Sequence, residues 1–492
     1  MQANEKYEVV VGLEVHARLL TRSKLFCSDS TLFGNEPNSN VSPITLAHPG
    51  TLPKMNKQAV GFAVKLGLAC HCTIEKQNYF ARKNYFYPDL PKGYQVSQHT
   101  TPICRGGFIS ISTLSTEKKI RLNRIHLEED AGKSLHDVFA EETALDFNRA
   151  GVPLLEIVTE PDIRSGEEAY NFLTGLRRLV RYLAICDGNM EEGSLRCDAN
   201  ISVRLKGDEQ LGTKVEVKNL NSIKNVKTAI EFEALRQIAL LEKNETIRQQ
   251  TRSFDAASGT TFSIRDKEDA EDYRYFPEPD LTPFDFTDEF IEEIRKTIPA
   301  LQKDRISNYI SNYHLNEYDA TVLTEEKNFA EYFEKLVGQG NTAQADDGTT
   351  ARAKAAANWM LGPVKTWLNE RNKTIDEFPL QPENLLKLIR LVENNKLSFS
   401  AAASKIFPAM AAKPDADPEQ LAAAMNLVME SNLDYIQPIA DAVLLQFEEK
   451  VKEYRKGKKG LLAMFVGEVM KRSKGKADPK VVNEILLEKL KT

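Results

Sequence analysis

Ile120-Arg121-Leu122-Asn123-Arg124-Ile125-His126-Leu127-Glu128-Glu129-Asp130-Ala131-Gly132-Lys133-Ser134 alternates apolar and polar residues, then runs without a turn signal into a histidine and three consecutive acids. Alternation with a period of two predicts a half-buried strand. A strand that ends in clustered carboxylates cannot bury them unpaired, because isolated buried charge is prohibitively costly. Either the strand end is solvated, or something positive meets it there. A divalent cation suits that position, since hard cations take oxygen ligands.

The same pattern recurs along the first half. Val9-Val10-Val11-Gly12-Leu13-Glu14-Val15-His16 is a buried-strand run in which Glu14 and His16 share one face. Leu154-Leu155-Glu156-Ile157-Val158 sets one acid inside an apolar strand. Arg196 to Arg204 alternates, with Arg196, Asp198, Asn200, Ser202 and Arg204 on one face, and Lys214-Val215-Glu216-Val217-Lys218 repeats the device. One wet face is ordinary for an antiparallel sheet. A wet face bearing Glu, His, Asp and Lys from several strands is a plausible concave site for a nucleotide and its metal. Gly132-Lys133-Ser134 resembles the end of a phosphate-binding loop, but Leu127 stands where that motif needs its first glycine. Any ATP bound would therefore lie on the sheet, held by carboxylate-bound metal and basic side chains.

Between the strands, helices are expected from Lys57 to Leu68, from Ser165 (N-cap, with Glu168 completing a capping box) to about Ile185, and from about Ser222 to Leu241. The first half reads as α+β. Asn78 to Gln98 interleaves Arg82, Lys83 and Lys92 with tyrosines and prolines, which suits either a pinned structural loop or a surface that stacks a base and grips phosphate. Cys70-His71-Cys72 has no second ligand pair at zinc spacing and reads as small buried thiols. The Pro-rich exit Asp272 to Leu281 precedes a helical remainder, with a loop from Gln339 to Thr349 and breaks at Phe378-Pro379 and from Asp415 to Pro418.

A chain of 492 residues, 41% hydrophobic and 28% charged, is long enough for two to four ordinary globular domains. Six cysteines at this length do not make a disulfide scaffold, no secretory leader is expected from the N-terminal residues, and no segment is long and apolar enough to span a membrane. A cytoplasmic protein with no membrane partner is the expectation. The net charge of −6 is uneven: Lys450 to Lys480 holds eleven Lys and Arg against three acids, +8, which leaves −14 for the rest. A basic end on an acidic body suits a polyanion, and the loops bearing Arg455, Lys458, Lys459, Lys471 and Lys474 are expected to grip nucleic-acid phosphates.

Six stretches together resemble the B subunits of the aspartyl/glutamyl-tRNA amidotransferases: Val11 to His16, Tyr87 to Tyr94, His126 to Lys133, Asn148 to Glu156, Glu216 to Ser222, and Asp272 to Pro277. The resemblance covers nearly the whole chain. It implies a cradle domain (1–286) with a fold like glutamine synthetase and the guanidino kinases on a mainly antiparallel sheet. A helical domain (287–377) and a helical tRNA-binding tail (378–492) would follow. It implies ATP-dependent phosphorylation of the side-chain carboxylate of Glu or Asp mischarged on tRNA(Gln) or tRNA(Asn). Ammonia from the glutaminase, or A-type, partner would then displace the phosphate, within a heterotrimer that includes a small C-type partner. Glu14, His16 and Glu129 match the family's metal positions; Glu128 is adjacent, and alternation lets only one of the two face the site. Glu156, Asp198 and Glu216 are further metal or ammonia-guiding carboxylates, with Lys218 beside them. Lys83, Lys92 and Arg204 are expected to contact phosphate or carboxylate. ATP and Mg2+ are the implied cofactors. Many relatives carry a four-cysteine zinc knuckle; here Cys27 remains while Asp29, Ser42 and Thr45 occupy the other positions, so no structural zinc is expected. Two other readings are a free-standing carboxylate–amine ligase, which has no need of a basic tail, and a tRNA-binding scaffold with an inactive cradle, which has no need of Glu14, His16 and Glu129.

Overall fold

The computed structural model describes residues 6–113, 116–136, 138–139, 141–266, 273–338, 347–429, 433–473 and 476–491. Asp272, Lys474 and most of the loop expected from Gln339 to Thr349 lie outside them. From Asp347 onward that loop is already helix, Asp347–Trp359.

The first unit is built on strands β1 (Tyr7–Arg18), β2 (Ala81–Asn84), β3 (Tyr94–Ser97), β4 (Glu117–Glu129), β5 (Pro153–Thr159), β6 (Leu195–Leu205), β7 (Val215–Leu220), β8 (Gln250–Asp255) and β9 (Thr260–Asp266). One ten-stranded sheet runs β9-β8-β7-β6-β1-β5-β4 and continues into the short strands Cys104–Arg105 and Thr73–Ile74, with Phe108–Ser112 also paired to β4. Its pairs are antiparallel except β7 with β8. β1 is central, paired to β5 on one side and β6 on the other.

Helices α1 (Lys57–Ala69), α2 (Gly166–Tyr182) and α3 (Ile223–Glu242) supply the core against this sheet. Val11, Leu13, Val15 and Ala17 of β1 pack with Leu155 and Ile157, Ile125 and Leu127, Ala199 and Ile201 from its neighbours, and with Phe172, Leu176 and Val226 from the helices. Alternation then turns Glu14 and His16 to the opposite face. The Ser165 hydroxyl accepts the Glu168 N–H at 3.1 Å, as an N-cap should, but the Glu168 carboxylate accepts the Arg164 N–H at 2.8 Å, one residue before the cap. α2 ends at Tyr182, short of Ile185, and Ala184 takes a left-handed φ of 54°.

The expected boundary at 286 precedes a helix, α4 (Asp288–Lys296), whose Ile291 and Ile294 join the first core, and the compact unit extends to Leu301. From Gln302 on, every regular element among the described residues is helical. One helical core spans Tyr309 to Ala422 and a second Ile436 to Leu490. The boundary expected at 377 falls inside the first of these, because Phe378 packs edge-on against Tyr332 and Trp367. The chain is thus α+β, with a sheet unit followed by a helical one.

Phe172 is fully buried, whereas Leu235 on α3 is 49% exposed. Phe172→Ala is expected to cost about 3–5 kcal/mol and Leu235→Ala no more than about 0.5 kcal/mol. Thermal or urea unfolding of the two variants checks this.

Candidate active site

The register across β6, β1, β5 and β4 decides which side chains meet. His16 lies opposite Glu156 on one side and Arg196 on the other, Glu14 lies opposite Asp198, and Glu156 lies opposite His126. These residues project from the sheet face away from the core.

The result is a tight group. His16 Nε2 is 3.5 Å from Glu156, 3.7 Å from Glu14 and 3.8 Å from Glu128. His126 Nε2 is 3.3 Å from Glu128 and 3.5 Å from Glu156. Ligand-type atoms of Glu14, His16 and Glu156 all lie within 4.8 Å of one another, as do those of His126, Glu128 and Glu156. Glu156 belongs to both sets. Glu128, Glu156 and His126 are buried, and the Ser97 hydroxyl donates to Glu128 at 3.1 Å.

The electrostatics follow from this crowding. Burial would depress the His16 imidazolium, but a hydrogen bond to Glu156 and the charges of Glu128, Glu156 and Glu14 outweigh it and lift its pKa to about 9. Burial and the Glu156 charge raise the Glu14 carboxyl, against the opposing pull of His16. Glu156 is held well below the usual carboxylate range: burial pushes it up, but His126 and His16 together pull it down further. In this state the His16 imidazolium meets the negative charge. A divalent cation fits the same group, since three carboxylates and two imidazoles converge.

Glu129 does not join them. Its carboxylate turns to the Val96 N–H at 2.9 Å and to Lys92 Nζ at 2.6 Å, on the edge of a cavity of about 210 Å³ also lined by Lys24, Cys27, Thr45 and Gly151. Of the two adjacent acids, Glu128 is the one on the face of His126 and Glu156.

Other expected residues fall at three distances from the group. Lys218 sits beside it, with Nζ 2.9 Å from Asp198 and 3.1 Å from Glu216; those two carboxylates raise the ammonium pKa against the effect of burial. Lys83 is farther round the rim, its Nζ 4.8 Å from the Tyr273 ring centroid and 5.6 Å from that of Tyr85. Arg204 is not brought in. It lies six residues along β6 from Asp198, about 20 Å away, and is bound to Glu8 at 2.6 Å.

Three residues that join the site had no role assigned from the sequence: His126, Asp130 and Arg196. The signal for His126 was its two-residue spacing from Glu128 on one strand. Arg196 and Asp130 meet at 2.9 Å although they are 66 residues apart, which no local pattern reveals.

The four positions discussed for zinc also come together. Cys27 Sγ is 3.4 Å from the Thr45 hydroxyl, which donates to Asp29 at 2.5 Å, and the Ser42 N–H donates to the same carboxylate at 2.8 Å. Next to them the buried Lys24 ammonium donates to the carbonyls of Asn40 and Phe147 at 2.7 and 3.2 Å, and burial draws its pKa down to about 8.

In the second unit Arg455, Lys458, Lys459 and Lys471 are all exposed. Lys458 pairs with Glu453 at 3.1 Å and Lys459 lies 4.3 Å from the centroid of the Tyr454 ring.

Residues 9–292 match the family model described as the GatB/GatE catalytic domain, and residues 331–490 match the GatB domain. A protein of Thermodesulfovibrio yellowstonii, named as the B subunit of aspartyl/glutamyl-tRNA(Asn/Gln) amidotransferase, is 47% identical over 99% of this chain and its own full length. Proteins of the same name from Chlorobium luteolum and Geobacter sulfurreducens are 49% and 48% identical, each over 99% of both chains. With its sheet unit matched by the catalytic-domain model and its helical unit by the second, the chain belongs to the GatB family.

Proposed function

We propose that this chain is the B subunit of a tRNA-dependent amidotransferase, and that its cradle phosphorylates and then amidates the side-chain carboxylate of Glu or Asp carried on tRNA. The observation that carries this reading is Glu156, shared between two converging ligand sets at the centre of a rigid sheet. A carboxylate is a poor electrophile. Transfer of the γ-phosphoryl group of ATP to one carboxylate oxygen gives an acyl phosphate and ADP. Ammonia then adds to the acyl carbon, the bond from carbon to the phosphate oxygen breaks, and phosphate leaves. A divalent cation, expected to be Mg2+, held by Glu14, His16 and Glu156 or by His126, Glu128 and Glu156, would offset the charge of ATP and of the acyl phosphate.

The chain's own groups take the other tasks. With the cation on His126, Glu128 and Glu156, the Glu14 carboxylate is left to take a proton that ammonia loses as the C–N bond forms. Lys218 keeps Asp198 and Glu216 ion-paired at the edge of the group. Lys83 and Lys92 stand on the rim where an anionic substrate enters. Ammonia is taken to come from the glutaminase (A-type) partner, in a heterotrimer completed by the small C-type partner. The exposed basic residues of the tail are taken to bind the tRNA backbone. The enzyme is taken to be cytoplasmic, a reading supported by its free thiols. No helix among the described residues is long and apolar enough to cross a membrane. Loop closure by Asp29, Thr45 and Lys24 takes the place of a structural zinc, so metal analysis of the purified chain is expected to find zinc well below one equivalent.

In the complex with its partner chains, supplied with mischarged tRNA, ATP, Mg2+ and ammonium chloride, Glu14→Ala or Glu156→Ala is expected to lower amidated tRNA by about a hundredfold or more while tRNA binding persists. Retention of full activity sinks the assignment and favours an inactive scaffold.

The imidazolium of His16 is stabilised in the folded state, with its pKa raised from 6.5 to about 9. Its contribution to stability is therefore fully present below pH 6.5 and is lost as pH rises through about 9. The metal-free chain should lose melting temperature over that window, and His16→Asn should remove this part of the slope. Cation binding needs the neutral ring, so titration calorimetry in buffers of different ionisation heat should show proton release.

A further inference from the structure

Arg196 is the one arginine of β6 that lies beside His16, its cross-strand partner. Its guanidinium is fixed from behind. Nη2 donates to Asp130 at 2.9 Å, and Asp130 is itself buried at the end of β4, where the same oxygen also accepts the Ala131 N–H at 3.0 Å. The other oxygen of Asp130 faces Arg149 Nε at 3.6 Å. Arg149 is anchored in turn on the Ala131 and Gly132 carbonyls at 2.9 and 2.6 Å. Such a series of bonds holds a guanidinium plane in one orientation.

One side of that plane stays open. Nε is buried, like the unpartnered Oδ2 of Asp130, but the Arg196 side chain as a whole is 38% exposed, with Asp130 as its hydrogen-bond partner among the described residues. A guanidinium held on one side by a carboxylate and open on the other keeps its remaining donors ready for an acceptor that arrives with the ligand. The acceptor must be anionic, because the donor belongs to a cation. It must also be small, because His16, Glu14 and Asp198 crowd the same face. Phosphates of ATP are multiply charged and fit the cation-binding carboxylates and the rim lysines. A single planar carboxylate fits the edge of one guanidinium, which offers parallel N–H groups to two oxygens.

Resting on the function proposed above, we propose that Arg196 is the subsite for the side-chain carboxylate of the aminoacyl group, with Asp130 as its positioning residue. Arg196 aims the carboxylate at the cradle before phosphoryl transfer and distinguishes the acid substrate from the neutral amide product, which offers no charge to the guanidinium.

The test uses the assembled complex with Glu-tRNA(Gln), ATP, Mg2+ and ammonium chloride. Arg196→Ala is expected to raise KM for Glu-tRNA by about ten- to hundredfold, with KM for ATP unchanged. It should also erase the preference for binding Glu-tRNA over Gln-tRNA. Added guanidinium ion should restore part of the lost rate. Asp130→Asn keeps shape and size, should raise KM for Glu-tRNA in the same direction with kcat less affected, and serves if Arg196→Ala does not fold. An unchanged KM for Glu-tRNA in a folded Arg196→Ala complex overturns the proposal, as does a rise confined to the KM for ATP. An inactive wild-type complex overturns the proposed function instead, so the two failures are distinguishable.

Discussion

The structure depends on holding three carboxylates against one another on the middle strands of a sheet. Glu14, Glu128 and Glu156 repel, and burial deprives the last two of water. Such an arrangement persists only where the backbone cannot yield and where positive charge is built in. β1 is hydrogen-bonded on both edges, so Glu14 and His16 cannot move apart. Two histidines, one from β1 and one from β4, stand nearest. The raised pKa of His16 follows from the pull of those carboxylates.

Around this centre the basic residues are already engaged. Lys92 is occupied by Glu129, Lys218 by Asp198 and Glu216, and Arg196 by Asp130. Arg124 touches Glu156 at 3.5 Å from the strand edge. A substrate anion therefore enters a site whose cations are already oriented. Preorganised charge of this kind lowers the barrier to phosphoryl transfer because it need not reorganise as the reaction proceeds.

Much of the sheet was legible as alternation. The period of two in β1 and β6 put Glu14 with His16 and Arg196 with Asp198, and the structure keeps each pair on one face. Alternation could not choose between Glu128 and Glu129. Packing of Ser97 and Val96 from β3 makes that choice, and β3 is some thirty residues away in sequence. Arg204 shows the opposite limit: it shares a face with Asp198, yet a strand carries it too far along to matter. A helix and an aromatic cluster, α4 and Phe378, pack across the expected domain limits. Such long-range packing leaves no local mark.

The central claim is that the substrate carboxylate is itself phosphorylated in this cradle. Its most direct test is oxygen transfer. Glu-tRNA(Gln) carrying heavy oxygen in both positions of the side-chain carboxylate is turned over by the complex with ATP, Mg2+ and ammonium chloride, and the released phosphate is analysed by mass. The account predicts phosphate that carries one heavy oxygen for every amide formed. Phosphate with only ordinary oxygen, released while amide still forms, would contradict it.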